Sequence, residues 1–417
     1  MGPVILPAWP PAAERTGPVQ STVPLRSRWL VPLAFLAFVS LGLPDGVLGV
    51  AWPWLRRSFE RPVDHLGLIL LAVMAGRLVS SFGGGILLAR LGVGRLVMAS
   101  ALLISASAAV WAVTPVWLPV LLGALLWGLG AGGIDAGLNA YAAAHFSPRA
   151  TTWVHACWGL GAMLGPLAMT ATLASGQGWR VGYAELAAAV LPAALAFWLT
   201  RGLWETPPRE DIGAATLSGA SLLEALGQGG VRANAVLFFF YTGVESGAGR
   251  WAYTLLTESR GMGTEAAGLI ASAYWGSLSV GRLAFGALAH HVRPVRLLQV
   301  ATASVPVLAL LVWATRSPLG SSAALLGLGL LLAPIFPLLI AETPSRVGER
   351  HAAHAVGIQI AAATVGADTL PALVGVLMSR LGLEALGPAL VGLSLLLLLL
   401  HAVRTARTQR PRGGRPA

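Results

Sequence analysis

Runs of about twenty apolar residues recur along the whole chain, and that pattern leaves few folds open. A helix needs roughly 20 apolar residues to cross a bilayer. Runs of that length fall near 29–52, 65–89, 95–113, 117–144, 151–175, 181–200, 233–257, 265–289, 296–315, 319–341, 352–379 and 384–403. Of 417 residues, 56% are hydrophobic and 11% charged, against about 25% charged in a soluble domain. Backbone groups in lipid have to be satisfied within their own segment, so spans of this length are helices. The chain therefore reads as an all-α membrane protein with twelve transmembrane helices.

The chain also repeats itself at an offset of about 200 residues. The first long run carries Asp45-Gly46-Val47-Leu48-Gly49 and the second Gly76-Arg77-Leu78. In the second half the matching runs carry Glu245-Ser246-Gly247-Ala248-Gly249 and Gly281-Arg282-Leu283. Ionisable groups within hydrocarbon are costly and mark functional sites by default. Internal repeats with polar groups at membrane depth are the pattern of transporters whose site lies between the halves.

The longest polar break, 201–232, contains Arg201, Glu205, Arg209, Glu210, Asp211, Glu224 and Arg232. It divides the chain into a bundle at 29–200 and a second at 233–403, joined by a linker at 201–232. Residues 1–28 and the basic end 404–417 are expected to be disordered cytoplasmic tails. With both ends inside, roughly eighteen arginines fall on the cytoplasmic side and seven outside, the orientation the positive-inside rule favours. The expected location is a bacterial inner membrane, with a monomer as the working unit. The net charge of +11 comes entirely from arginine as the basic residue and is spread over span ends. That distribution points away from nucleic-acid binding. Cys157 is the single cysteine, so no intrachain disulfide forms. There is no lysine, hence no phosphate-binding Gly-x-x-x-x-Gly-Lys loop. No enzyme activity, cofactor or metal site is expected.

Glycines and prolines crowd the spans: Gly128, Gly130, Gly132, Gly133 and Gly137 in the fourth, and Pro44, Pro166, Pro334 and Pro371 elsewhere. Small residues let helices approach closely in lipid. After the second span the chain reads Gly85-Ile86-Leu87-Leu88-Ala89-Arg90-Leu91-Gly92-Val93-Gly94-Arg95. With the layout of six spans, linker and six spans, this resembles the major facilitator superfamily, whose loop pattern is Gly-x-x-x-Asp-Arg-x-Gly-x-x-Arg. The aspartate is replaced by Ala89, so the carboxylate that helps latch the cytoplasmic gate in relatives has no counterpart at this position. The resemblance implies two pseudo-symmetric six-helix bundles. Arg77 and Arg282 recur at matching places near the cytoplasmic ends of their spans and read as gate or helix-end contacts rather than solute ligands, and Arg90 of the loop is a further gate residue. Within the superfamily, three stretches are similar to the fucose permease-like sugar:proton symporters: Gly42–Gly46, Gly130–Asn139 and Tyr241–Trp251. The resemblance implies proton coupling and sugar binding at Asp45 and Asp135.

The residues themselves support several readings. Burial of a carboxylate disfavours its charged form, as a proton carrier requires; Asp45 can equally be a structural carboxylate paired with an arginine. Asp135 and Asn139 are four apart and share a helix face, offering an acceptor and a donor to solute hydroxyls or to a neighbouring helix. Glu245 either binds solute or pairs with Arg250. Trp251, Tyr274 and Trp275 can stack on a sugar ring or pack. Gln359 and Asp368 are candidates to line the cavity, and His155 to relay protons or to pack. The expected function is proton-coupled uptake of a small polar solute, a sugar first among them, by alternating access. For a neutral solute, one proton moving down 100 mV supplies about 2.3 kcal/mol, roughly a fiftyfold gradient. The rivals are a proton-driven exporter of drugs or metabolites, and a receptor or lipid flippase.

Overall fold

The computed structural model describes residues 30–204, 222–288 and 292–409. The expected tail 1–28, the middle of the expected linker, His290-His291 and the last residues of the chain lie outside this set. Twelve helical segments cross the bundle: α1 (Leu30–Ser58), α2 (66–91), α3 (93–113), α4 (Leu118–His145), α5 (Pro148–Ala174), α6 (Trp179–Thr200), α7 (Gly229–Thr254), α8 (Thr264–Leu288), α9 (Pro294–Ala314), α10 (Pro318–Ala341), α11 (Glu349–Leu381) and α12 (Leu386–Gln409). They correspond one for one to the apolar runs of the sequence, and the chain is a multi-pass membrane protein.

Three breaks in these helices have local causes. The run Leu66–Val113 is helical over 48 residues, which at about 1.5 Å per residue is over twice a bilayer core. Gly92 folds it into a hairpin by adopting φ 74° and ψ 164°, a conformation open to glycine alone without strain. This glycine sits in the loop that carried the family resemblance. α10 is interrupted between Leu332 and Ile335, at Ala333-Pro334, and α7 closes in a π-turn over Leu255–Ser259. The last helix extends past the expected end of its span at 403. Arg404 is consequently not in a tail: it is buried, donating to Asn234 Oδ1 at 2.7 Å and Glu342 Oε2 at 2.8 Å.

The helices form two pseudo-symmetric bundles, α1–α6 and α7–α12. Glycine sets the spacing within each. A methyl group on Gly128 of α4 would lie 2.0 Å from the Val73 carbonyl of α2, and one on Gly76 2.4 Å from the Leu125 carbonyl. α1 meets α5 the same way, through Gly46 against the Ala162 carbonyl (2.2 Å) and Gly161 against that of Val39 (2.2 Å). The equivalent pair in the second half, α7 and α11, meets at Gly366, 2.1 Å from the Phe239 carbonyl on the same measure. Large apolar side chains such as Phe82 (81% exposed) and Leu319 (79%) point outward, as a lipid-facing belt requires.

The two bundles touch through α1–α7, α2–α11 and α5–α8, and the contact is uneven. On the face away from the chain ends, Arg56 and Arg57 both reach Glu258 (2.6 and 2.7 Å), and Trp54 Nε1 donates to Tyr253 Oη at 3.3 Å. There a methyl on Gly67 of α2 would sit 3.0 Å from Ala372 Cβ of α11. Gly85 lies eighteen residues, or five full turns, further along the same stripe of α2. Among the described residues, a methyl added to Gly85 would meet nothing within 4 Å, and the same holds for Gly357 on α11. The halves are joined at the far face by the polar contacts of Arg56, Arg57 and Trp54.

Gly128→Leu should prevent close packing of α2 on α4. Overpacking costs about 1–3 kcal/mol where neighbours can move, and here the neighbour is backbone. A marked fall in detergent thermal-unfolding midpoint, or loss of folded yield, is the expected result.

Candidate functional site

The centre of the bundle holds a chain of alternating charges. Asp45 on α1, at the level of the Pro44 bend, is 5% exposed. Arg77 Nη2, on α2, donates to both its oxygens at 2.8 and 2.9 Å, and Trp158 Nε1 of α5 donates to Oδ2 at 3.2 Å. Arg250 Nη2, on α7, lies 3.7 Å from Asp45 Oδ1 and 2.9 Å from Asp368 Oδ1 of α11. Arg250 therefore links a carboxylate of the first half to one of the second. Four charges buried this deeply need one another, because removing one partner leaves an uncompensated ion.

A second cluster sits beside the first. Arg282 of α8 is 3.6 Å from Glu245 Oε2 on α7. Tyr241 Oη donates to the same carboxylate, and Tyr274 Oη to the Glu245 carbonyl at 2.7 Å. The Arg282 guanidinium lies over the Trp158 ring at 5.8 Å, and Trp158 meets Trp275 edge-on at 5.9 Å. Trp158 thus touches both clusters, by its N–H and by its ring.

Asp135 and Asn139 form a third group on α4. Asn139 Nδ2 donates to Asp135 Oδ1 at 2.8 Å, confirming the shared face. Both are half-buried, and Asp135 has no guanidinium in ion-pair contact among the described residues. It lies within electrostatic reach of Arg77 and of His155 on α5, and His155 within reach of Arg282 on α8. His155 is exposed and meets Phe38 edge-on at 5.2 Å. These groups come from both halves and lie within electrostatic reach of one another across the interface between the bundles.

Several expectations need correction. Arg77 is not near the end of its span; it lies in the middle of α2, with one nitrogen turned to Asp45. Arg282 is likewise drawn inward to Glu245 rather than placed at a helix end. Glu245 does not pair with Arg250. Five residues on a helix point about 140° apart, whereas the four-residue spacing brings Tyr241 onto Glu245. Trp251 and Tyr274 are fully buried, with Trp251 Nε1 donating to the Pro371 carbonyl at 3.0 Å, and neither borders open space. Trp275 is 4% exposed. Gln359 is fully buried against Thr343 at 3.0 Å and is remote in its contacts from the charged centre. Asp368 is fully buried too, held by Arg250. Arg90 is exposed at the α2–α3 turn. The sequence reading missed Arg250 and Trp158 as central residues. The repeat held the signal for the pairs, since each half supplies a carboxylate on its first helix and an arginine on its second.

A separate cavity of about 450 Å³ lies between α2 and α11 near the far face, bordered chiefly by Leu68, Leu71, Ala372, Leu373 and Val376, with Asp64 and His65 at its rim. It is apolar and does not include the charged centre.

Twelve helices in two like halves enclose a charged centre between them. Residues 34–367 match the Major Facilitator Superfamily, and the chain belongs to that family. It is a transporter and not an enzyme. Similar solved structures include a bacterial homologue of the human lysosomal transporter Spinster in an inward-facing and occupied conformation. It is 14% identical over 94% of this chain and 99% of that one, with a TM-score of 0.73. The nucleoside transporter NupG is 14% identical over 89% and 98%, with a TM-score of 0.73. The Escherichia coli fucose:proton symporter FucP is 16% identical over 90% and 99%, with a TM-score of 0.60. At these identities the likeness is one of fold. No curated relative matches the sequence.

Arg77→Gln should cost about 3–5 kcal/mol of stability by stranding Asp45. The double change Asp45→Asn with Arg77→Gln should recover most of it. Thermal unfolding of the three variants in detergent checks both statements.

Proposed function

We propose that this transporter takes up a small polar solute together with protons, by rocking its two halves about a central site. The observation that carries the proposal is Asp135: a half-buried carboxylate in the space between the halves, bonded to an amide and to no arginine. No ion-pair partner holds it among the described residues, so a proton is the group that can neutralise it directly. Asp45, by contrast, is held by Arg77 and approached by Arg250. Its role in this reading is to position Arg77 and Arg250 rather than to shed a proton each cycle. Asn139 and His155 border the same space and serve as solute contacts, with His155 placed to pass protons toward Asp135.

Protonating Asp135 removes a charge that would otherwise be trapped when the halves close. In this reading the far face, joined through Arg56, Arg57 and Glu258, makes this the state open to the side of the chain ends. The arginine distribution places that side in the cytoplasm, which fits an inner-membrane protein with both ends inside. Resemblance to the fucose permease-like group, and the fold likeness to a fucose:proton symporter, make sugars and their derivatives the first solutes to test.

Asp135→Asn should abolish uptake driven by a pH gradient in proteoliposomes while leaving solute exchange intact; undiminished accumulation would remove Asp135 from the coupling. The same assay reads direction, since solute extruded against an inward proton gradient would identify an exporter. The far-face seal is testable apart from transport. In a Cys157→Ala background, an Ala372→Cys probe should react slowly with a membrane-impermeant maleimide, and several-fold faster once Glu258→Gln releases Arg56 and Arg57.

A further inference from the structure

The two arginine–carboxylate pairs at the centre are arranged alike, and in both it is the arginine that meets open space. The Arg77 side chain is 21% exposed where Asp45 is 5%; Arg282 is 29% exposed where Glu245 is 8%. Neither guanidinium is used up. Arg282 lies 3.6 Å from its carboxylate, and Arg77 turns a single nitrogen, Nη2, to both Asp45 oxygens. A guanidinium carries five N–H donors in a planar fork suited to a carboxylate. Trp158, bonded to Asp45 and lying under Arg282, is a rigid spacer between the two forks.

The charges at this centre add to a definite remainder. Arg77 and Arg250 offset Asp45 and Asp368, and Arg282 offsets Glu245. Asp135 is left over. It lies within electrostatic reach of Arg77 and His155, and His155 within reach of Arg282; Trp158, in contact with both Asp45 and Arg282, ties the two arginines to one centre.

We infer that the solute is a small polar organic monoanion bearing a carboxylate, bound between Arg77 and Arg282, and carried with the single proton that neutralises Asp135. This rests on the proton-coupled reading above and names its solute class. Ionised Asp135 competes with an entering anion for the same two arginines and repels it. A proton on Asp135 ends the competition, so proton and anion each raise the other's affinity, as linkage requires. A neutral solute has no comparable dependence on the charge at Asp135. The anion and the proton cancel in charge, so the loaded carrier moves none across the membrane. The pH gradient drives transport and the membrane potential does not.

The test uses full-length protein in proteoliposomes, with labelled gluconate and glucuronate as carboxylates, glycerol phosphate as a phosphate ester, and glucose and fucose as neutral solutes. A pH gradient with the potential clamped to zero should accumulate a carboxylate at least tenfold. A potential imposed without a pH gradient should accumulate it less than about twofold. Accumulation of a neutral sugar driven by the potential, or of the phosphate ester alone, overturns the inference while leaving proton coupling in place. Failure of every solute to respond to the pH gradient sinks the proton-coupled reading and the inference with it. Arg282→Gln paired with Glu245→Gln keeps the site neutral; with an unchanged unfolding midpoint, it should raise the KM for the carboxylate about tenfold or more. An unchanged KM would exclude Arg282 from the site.

Discussion

The contact on which the rest of the structure depends is the pairing of Asp45 with Arg77. A lone carboxylate at this depth would be driven to neutralise itself or to leave the hydrocarbon. Arg77 supplies the compensating charge, and Arg250 from the opposite half lies within 3.7 Å of the same carboxylate. Arg250 in turn compensates Asp368, which is fully buried. One pair on α1 and α2 thereby fixes the polar contact between the two bundles. The glycine-spaced packing of α2 on α4 and of α1 on α5 is what holds the two side chains at bonding distance.

This arrangement separates two tasks that a carboxylate in a transporter can perform. A carboxylate held between arginines is a fixed point, since releasing it strands its partners. In the proposed cycle, the carboxylate with no arginine in ion-pair contact, Asp135, is the one that exchanges protons. Asp45 and Asp135 divide along that line, with Arg77 within reach of both. In the proposed cycle, Arg77 is the group whose surroundings change when Asp135 gains a proton or an anion enters. The far face, joined through Glu258, and the opposite face, where Gly85 of α2 faces nothing among the described residues, describe the one state seen here.

Much of the fold was legible because hydrocarbon allows few alternatives. Run length gave the spans, and the offset repeat gave the halves. Helix ends were less legible, since α12 continues past its apolar run with Arg404 satisfied by Asn234 and Glu342, a contact between helices that no local pattern announces. At the site, the residues on one helix at four-residue spacing, Asp135 with Asn139, were found directly. Partners on different helices were not. The Arg77–Asp45 and Arg282–Glu245 pairs were present in the repeat as matched positions, but position along a span does not reveal which neighbour a long side chain reaches. Glu245 and Arg250, near in sequence, point to different faces of α7. Trp251, Tyr274 and Gln359 misled because an aromatic or amide within a span fits a binding site and a packed interior equally well.

The central claim is that binding of solute and protonation of Asp135 are one event. Its most direct measurement is the proton uptake that accompanies solute binding, followed with a pH-sensitive dye in weakly buffered detergent solution. Near neutral pH the account predicts uptake of about one proton per solute bound, lost in Asp135→Asn and retained in Asp368→Asn. Undiminished proton uptake in Asp135→Asn would contradict it.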